Sequence, residues 1–206
     1  MSRQKLQVEE LNAAGIRREL QRVRHRSRYL RVLVSTLSSL LTIAAIAVLL
    51  ATLFFPVMRI WGSSMTPTLH EGQIVVSIKG SDFDTGDIIA FHYNNKVLIK
   101  RVIAGPGQWV NITEDGNVYV DDIPLEEPYV SELSLGESNL EYPYQVPDGR
   151  FFVMGDHRAT SVDSRNTAVG CVGQEQLVGK IVLCVWPLGD FGTIPGPAVR
   201  GGITYE

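Results

Sequence analysis

Hydrophobic and polar positions divide this chain of 206 residues into stretches with different patterns. Residues 1–31 are highly charged and carry apolar side chains at a loose three-to-four spacing, which predicts a helix that is solvated over most of its surface. Residues 32–58 contain no charged side chain. Because about 20 helical residues cross a hydrocarbon core of about 30 Å, this second stretch is predicted to be a transmembrane helix.

A cleaved signal peptide is the alternative interpretation of the second stretch. Such peptides have apolar cores of about 7 to 15 residues, followed by small residues at the cleavage site. Here the apolar run is longer and ends in Phe54-Phe55-Pro56, which favours an uncleaved anchor. Basic residues lie on its N-terminal side, so the positive-inside rule predicts a cytoplasmic N-terminus and a body outside the cytoplasm.

Short strand-like runs, separated by turn signals such as Asp115-Gly116, fill the region from residue 59 to residue 188. The predicted strands are seven, at 73–78, 87–91, 97–103, 109–113, 117–120, 151–154 and 178–186. Their number and spacing favour a mainly antiparallel β body, closed or half-closed. The polar stretch 124–147 is either a surface excursion or a flap over a site. Residues 189–206, which contain several Gly and Pro, are predicted to form a loose tail.

Charge is distributed unevenly along the chain. Residues 1–31 hold nine Lys or Arg against three Glu, whereas the remainder has a net charge of −9. An acidic body argues against nucleic acid as a partner, because phosphate binding needs a basic face. The basic end of the first helix is predicted to lie against anionic lipid headgroups, with a partner helix as the alternative.

Cysteine and histidine usage gives no sign of a metal site. The four histidines are scattered, and the only two cysteines, Cys171 and Cys184, form no spaced set of ligands. No metal and no cofactor are therefore expected. A disulfide between the two cysteines stays open for a body outside the cytosol, although the apolar run around Cys184 favours a buried thiol.

The stretch just after the apolar helix contains the first candidate for chemistry. Small residues and Pro67 mark an irregular turn from Gly62 to Leu69, and such a turn can hold the hydroxyl of Ser64 out of a sheet. A serine is a weak nucleophile unless a base lies close by. Without such a base, Ser63 and Ser64 would be ordinary turn residues.

Lys100 is the candidate base. Period-2 alternation places Leu98, Lys100 and Val102 on one face of the strand 97–103, so the lysine is closely flanked by apolar residues. Burial disfavours the ammonium form and lowers a lysine pKa, and a neutral lysine can accept a proton from a serine hydroxyl. The alternative is an edge-strand lysine that prevents aggregation.

A polar loop follows the apolar strand 151–154. It carries Asp156, Arg158, Ser161, Asp163 and Arg165 within ten positions, and any buried part of it needs internal hydrogen bonds. The sequence suggests an ion pair of Asp163 with Arg165, or of Asp156 with Arg158, and a Ser161 hydroxyl free to position another group. A solvated surface loop is the alternative.

Taken together, these motifs resemble those of bacterial type I signal peptidases. The resemblance covers roughly residues 56–188 and rests on Ser-Met-x-Pro-Thr-Leu at 64–69, Gly-Asp-Ile-Ile at 86–89, Lys-Arg-Val-Ile-x-Gly-Pro-Gly at 100–107 and Gly-Asp-x-Arg-x-x-Ser-x-Asp-Ser-Arg at 155–165. It implies a β-rich catalytic half-barrel and a Ser/Lys dyad that cuts signal peptides from exported proteins after a small-x-small motif. The single basic-flanked span resembles the Gram-positive members of the family.

The resemblance assigns roles residue by residue. Ser64 is the expected nucleophile, Lys100 the general base, and Ser161 the serine that orients the lysine. The backbone N–H of Ser64 is the expected oxyanion donor; Gly62 stands where some members have a serine that supplies a second donor, so that donor stays open. The expected structural support comes from Asp156, Arg158, Asp163 and Arg165, and the expected substrate-pocket walls from Met58, Ile60, Met65, Leu69 and Ile99.

The expected partners are signal-peptide-bearing preproteins, membrane lipid and the secretion translocon. Two other functions fit part of the pattern. A self-cleaving SOS repressor-like peptidase shares the Ser/Lys dyad, but the membrane span and the lack of a helix-turn-helix pattern argue against it. The second alternative is a catalytically idle membrane-anchored module. The presence of Ser64, Lys100 and Ser161 argues against this alternative.

Overall fold

The computed structural model describes residues 3–80 and 82–194, with side chains from residue 29 onward. The chain divides into two units, residues 1–51 and 52–206. The described residues of the first unit, 3–51, lie within helix α1, Arg3–Phe54. The part of α1 from Tyr29 to Phe54 is long and apolar enough to cross a membrane, with a mean hydropathy of 2.4 in its most apolar window, and its side chains are not buried within the chain.

Helix α1 ends at Phe54, four residues before the predicted end of the span at residue 58. Pro56 explains the difference, since proline disfavours helical backbone at the preceding residue and has no N–H to donate. Val57 and Met58, which the apolar run assigned to the helix, instead form strand β1, Val57–Arg59. The prediction of a helix through residue 58 was therefore wrong at its C-terminal end.

The second unit is built from strands joined by short turns. The strands are β1 Val57–Arg59, β2 Ile74–Ile78, β3 Ile88–Tyr93, β4 Lys96–Ala104, β5 Trp109–Ile112, β6 Val118–Val120, β7 Ile123–Pro124, β8 Tyr144–Gln145, β9 Arg150–Met154, β10 Val172–Gly173, β11 Leu177–Trp186 and β12 Gly192–Thr193. Two 3₁₀ turns, Gln174–Gln176 and Leu188–Asp190, flank β11. All seven predicted strands are present.

Two antiparallel sheets organise these strands. The larger has the order β1-β2-β11-β3-β4-β9-β10, with β12 paired to β11, and the smaller has the order β7-β6-β5-β8. The prediction of a mainly antiparallel β fold on an N-terminal apolar helix is confirmed. Strand β4 is central to the larger sheet: it pairs with β3 along Lys96–Arg101 and with β9 only from Arg101 onward.

The beginning of the predicted loose tail is ordered. Leu188–Asp190 forms a 3₁₀ turn, and β12 returns to pair with Leu183 and Cys184 of β11. Gln73 Nε2 also donates to Asp190 Oδ2 at 2.6 Å, which fixes this turn beside β2. The expectation of a loose tail from residue 189 is therefore wrong for residues 189–194; residues 195–206 lie outside the described part of the chain.

Three apolar clusters form the core, and one of them underlies the turn that carries Ser64. Met65 and Leu69 from that turn are buried in it with Val75 of β2 and Ile181 of β11. Burial of these side chains holds the turn against the sheet, at about 1.5–3 kcal/mol for each fully buried side chain of this size. Both cysteines are buried and free, so no disulfide joins them in this structure.

Candidate active site

The turn between β1 and β2 carries Ser64. It begins at Gly62, whose φ of +82° lies in the left-handed region that favours glycine. The turn is closed by hydrogen bonds from Thr66 N to Ser63 O at 3.1 Å and from Leu69 N to Met65 O at 2.8 Å. Ser64 itself is half-buried, so its hydroxyl is held by the fold and still open on one side.

Lys100 lies in the middle of β4, with only 3% of its surface exposed. Its Nζ is 2.7 Å from Ser64 Oγ. Among the described residues no carboxylate forms an ion pair with this amine. Burial lowers the pKa of Lys100 to about 8, with Asp163 and Asp156 opposing that shift and Arg165 adding to it. The neutral amine is therefore accessible near neutral pH, directly beside a hydroxyl.

Arg101, the next residue of β4, ties three parts of the site together. Its Nε and Nη2 donate to the two oxygens of Asp156 at 2.8 and 2.6 Å, and its Nη1 donates to Gly86 O at 2.7 Å. Thr68 Oγ1, from the Ser64 turn, donates to Asp156 Oδ2 at 2.5 Å. One carboxylate thus links the turn that carries Ser64, β4 and the polar loop, and the bidentate geometry is the strong form of such a pair.

The polar loop 155–165 is folded around Arg165. Its Nε is 2.8 Å from Asp163 Oδ1, as one of the two suggested ion pairs required. The remaining guanidinium donors of Arg165 bind Asp163 Oδ2 and backbone carbonyls, namely those of Ser134, Leu135, Arg158 and Ser161. Because every N–H of this guanidinium has an acceptor, the free-energy cost of burying its charge is offset.

The other suggested pair, Asp156 with Arg158, is not formed. Asp156 pairs with Arg101, and Arg158 pairs with Glu127 through both guanidinium nitrogens. Arg158 does not pair with Asp156 because its Nε donates to Gly155 O at 3.1 Å. This hydrogen bond directs the guanidinium toward the stretch 124–147. Glu127 was missed because it lies 31 positions away in the sequence and belongs to no motif.

Ser161 is buried, and its Oγ has no hydrogen-bond partner among the described residues. The hydrogen bond to Lys100 that the resemblance implies is therefore not made here. Ser161 nevertheless lies close to the backbone of Ser64, because a Cβ added at Gly155 would collide with both Ser161 Oγ and the carbonyl oxygen of Ser64. His157 N donates to that same carbonyl at 3.1 Å and completes the contact between loop and turn.

The five expected pocket residues belong to one apolar cluster. Ile60, Met65 and Leu69 are buried in it, whereas Met58 of β1 and Ile99 of β4 are half-buried at its surface. The two half-buried side chains are thus the ones that a bound molecule can reach. No group of three or more His, Cys, Asp or Glu in the described part of the chain is arranged to hold a metal ion.

A sequence model of the family described as signal peptidase, peptidase S26, matches residues 33–186. The chain belongs to this family. Its similarity to signal peptidase I U from Bacillus subtilis is 33% identity over 164 residues, which covers 74% of this chain and 87% of the relative. Signal peptidase IB from Staphylococcus aureus is 34% identical over 151 residues, covering 63% and 77%.

A solved structure was also found to be similar. The crystal structure of a signal peptidase I from Enterococcus faecalis is 29% identical, covers 48% of this chain and 97% of that chain, and gives a TM-score of 0.40. The family match and the curated relatives identify the chain as a signal peptidase, a hydrolase that removes signal peptides from preproteins. The repressor-like and idle-module alternatives give way to this assignment.

Proposed function

We propose that this signal peptidase cuts preproteins with a dyad in which Ser64 is the nucleophile and Lys100 the general base. The observation that carries the proposal is the 2.7 Å distance between Lys100 Nζ and Ser64 Oγ, made by a buried amine with no carboxylate partner among the described residues. A base must lie within hydrogen-bond reach of the proton that it removes, and its pKa should be close to the working pH. Lys100 satisfies both conditions.

The reaction is acyl transfer in two steps. Neutral Lys100 takes the hydroxyl proton while Ser64 Oγ bonds to the scissile carbonyl carbon, and the lysine then gives that proton to the leaving amine as the peptide bond breaks. Water, deprotonated by the same amine, attacks the ester in the second step and releases Ser64. The Ser64 N–H, which has no acceptor among the described residues, is the proposed oxyanion donor. Gly62 offers no hydroxyl, so a second donor would be a backbone N–H or a water.

The substrate is proposed to bind as an extended strand beside β4. Residues before Arg101 pair with β3 on one side of β4 and, within the described chain, with no strand on the other. A peptide added at such an edge gains main-chain hydrogen bonds, while pockets for alternate side chains provide specificity. Met58 and Ile99 would contact the side chains before the cleaved bond, and Ile60, Met65 and Leu69 would back them. Such walls select Ala-like residues by excluding larger ones.

The membrane arrangement is proposed from the charge pattern. Residues 1–31 would lie in the cytoplasm against anionic lipid, the apolar part of α1 would cross the membrane once, and the β body from residue 57 would lie outside the cytoplasm. Enzyme and preprotein would then share one membrane surface, close to the secretion translocon, which raises the effective substrate concentration. We further propose that the reaction needs no metal.

The test is cleavage of a purified preprotein by the full-length enzyme in detergent or lipid. We expect cleavage after a small-x-small motif, and loss of cleavage when Leu replaces the residue one or three positions before the bond. Ser64→Ala should abolish cleavage, whereas the matched control Ser63→Ala, at an exposed neighbour, should not. Cleavage by Ser64→Ala at the wild-type rate would show that the nucleophile is elsewhere.

A further inference from the structure

Part of the stretch 124–147 lies against the polar loop 155–165 and strand β4, and it contacts the three buried arginines of the site, which are Arg101 of β4 and Arg158 and Arg165 of the loop. We name residues 127–135 the strap. Within it, Glu127 binds Arg158, the ring of Tyr129 covers Arg101, and the carbonyls of Ser134 and Leu135 accept hydrogen bonds from Arg165. Each of these arginines has at least one partner in the site and at least one in the strap, so the strap completes the polar interior of the site.

The Glu127–Arg158 pair is buried on both sides. The two side chains are 4% and 0% exposed, and Arg158 Nη1 donates to Glu127 Oε2 at 2.8 Å, while Nη2 contacts the other oxygen. Tyr129 joins the pair, because its hydroxyl donates to Glu127 Oε1 at 3.0 Å. Burial and the adjacent carboxylate raise the pKa of Tyr129, which keeps the phenol protonated as the donor.

Tyr129 also fixes Arg101. Its ring centroid is 3.8 Å from the Arg101 guanidinium carbon, while Asp156 holds the nitrogens of the same group. The guanidinium is thereby held by a ring and by a bidentate carboxylate, and burial of Arg101 strengthens the ring contact because the cation is desolvated. Arg101 follows Lys100 in β4. Because its side chain is held in place, the backbone that orients the Lys100 amine is fixed as well.

We propose that Glu127 and Tyr129 are positioning residues of this peptidase, which hold Lys100 against Ser64 by fixing Arg158 and Arg101. The inference rests on the proposed Ser64–Lys100 dyad and extends it to a segment that the sequence left open between a surface excursion and a flap. Neither residue touches the reacting atoms, so their effect is transmitted through the two arginines.

Loss of Glu127 has a specific consequence in this arrangement. Arg158 would keep its charge without a counter-ion and would compete with Arg101 for Asp156, whose charge already acts on both Lys100 and Arg158. A buried charge that loses its partner is strongly destabilised, so the side chain is expected to turn toward another group of opposite charge. Asp156 also accepts the hydroxyl of Thr68, so the disturbance reaches the Ser64 turn as well as β4.

The experiment compares isosteric and conservative variants of the strap in the full-length enzyme. Glu127→Gln removes the charge, with Glu126→Gln, at the exposed neighbour, as matched control. Tyr129→Leu removes the ring, with Tyr129→Phe retaining it over Arg101. Preprotein cleavage is measured as kcat and KM between pH 6 and 10.

We expect Glu127→Gln and Tyr129→Leu to lower kcat by about 10- to 100-fold, the range for a catalytic group displaced by about 1 Å, with KM little changed. The acidic limb of the rate profile should move to higher pH, because loosening of the site hydrates Lys100, and burial is the main cause of its low pKa. Of the charged groups that face the amine, Asp163 and Arg165 should keep their effects on the pKa of Lys100, whereas Asp156 becomes shared with Arg158 once Glu127 is replaced. Tyr129→Phe keeps the ring over Arg101 but loses the hydroxyl that donates to Glu127, so its kcat should fall less than that of Tyr129→Leu. Glu126→Gln should cleave like the wild type.

A wild-type kcat and pH profile in both Glu127→Gln and Tyr129→Leu would overturn the inference. So would a loss of activity that follows the unfolded fraction and leaves the pH midpoint in place, since that would be a purely structural effect. If Tyr129→Leu does not fold, Glu127→Gln decides alone. Lys100→Met separates the two proposals: continued cleavage by this variant refutes the dyad, whereas an inactive Lys100→Met beside unaffected strap variants refutes only the positioning role.

Discussion

Two lysines of the larger sheet occupy matching positions in different surroundings. Lys100 of β4 and Lys180 of β11 both lie opposite Ile89 of β3, and each amine is 2.7 Å from a side-chain oxygen. The oxygen beside Lys180 belongs to the carboxylate of Asp87, and that lysine side chain is 28% exposed. The oxygen beside Lys100 belongs to the hydroxyl of the half-buried Ser64, and Lys100 itself is only 3% exposed. The chemical identity of the partner and the exposure of the amine, more than the lysine's place in the sheet, therefore separate a structural ion pair from the proposed base.

The largest effect that follows from this comparison is on catalysis. Lys100→Met keeps the shape of the side chain but removes the amine, so cleavage should fall by about 10⁴-fold or more, as when one member of a catalytic unit is removed. Lys180→Met makes the same chemical change at the structural site and should leave the cleavage rate of the folded enzyme near the wild-type value. An equal loss of cleavage rate in both variants, measured on the same preprotein, would contradict the assignment of different roles to the two lysines.

The pH dependence of cleavage tests the protonation state of Lys100. A base must be neutral to accept the proton, and the pKa of Lys100 is lowered to about 8, chiefly by burial. Below that pH kcat/KM should fall about tenfold per unit, and above it the rate should level off. Lys180→Met should show the same profile. A profile that is flat from pH 6 to 9 would mean that the titrating base is another group.

Stability should respond to the two Met substitutions with opposite signs. The unfolded chain binds more protons than the folded one between the lowered pKa of about 8 and the ordinary 10.5, so the stability of the wild type should rise with pH in that window. Lys100→Met removes this slope. At pH 7 it should stabilise by about 2 kcal/mol, the protonation cost of about 3 kcal/mol less about 1 for the lost hydrogen bond.

Lys180→Met leaves the buried Asp87 without its counter-ion and should destabilise by about 2 kcal/mol, less than for a fully buried pair because water reaches this site. Urea unfolding of the β body in detergent at pH 7 and pH 10 measures both variants. The contrast fails if both substitutions destabilise equally at pH 7.

The smallest expected effect concerns the other member of the structural pair. Asp87→Asn replaces the carboxylate by an amide that can still accept hydrogen bonds from Asp84 N and Lys180. We expect a loss of about 1 kcal/mol, since the partly exposed lysine can turn toward water. Cleavage should be unchanged, and a large loss of activity would show that this pair also belongs to the site.

The parts of the site that sequence could predict are those encoded locally. The apolar flanks of Lys100 predicted its burial, and the Gly62 to Pro67 pattern predicted the turn that carries Ser64. Strand-like runs between turn signals also located seven strands, including all of those with four or more residues. Two-residue strands such as β7 and β12 were missed because a pattern that short has no periodicity.

Partners that are distant along the chain could not be predicted. Arg158 pairs with Glu127 and not with Asp156 because the stretch 124–147 folds back against the loop, and no local sequence pattern indicates that fold. The contact of the Tyr129 ring with Arg101 could not be predicted for the same reason. The end of α1 was misplaced for a different reason: the apolar run continues past Pro56, so hydropathy alone extended the helix into strand β1.

The loop 155–165 has an interior made of guanidinium, carboxylate and carbonyl groups around Arg165, where most folded segments have aliphatic side chains. Heat-capacity change and urea sensitivity both scale with the surface exposed, and the apolar part dominates the heat-capacity change. Local opening of this loop would expose little apolar surface. Its amide hydrogens should therefore exchange through openings that are nearly insensitive to urea, while those of the β sheet exchange only through urea-sensitive unfolding. The polar loop is thus expected to behave as a separate cooperative unit.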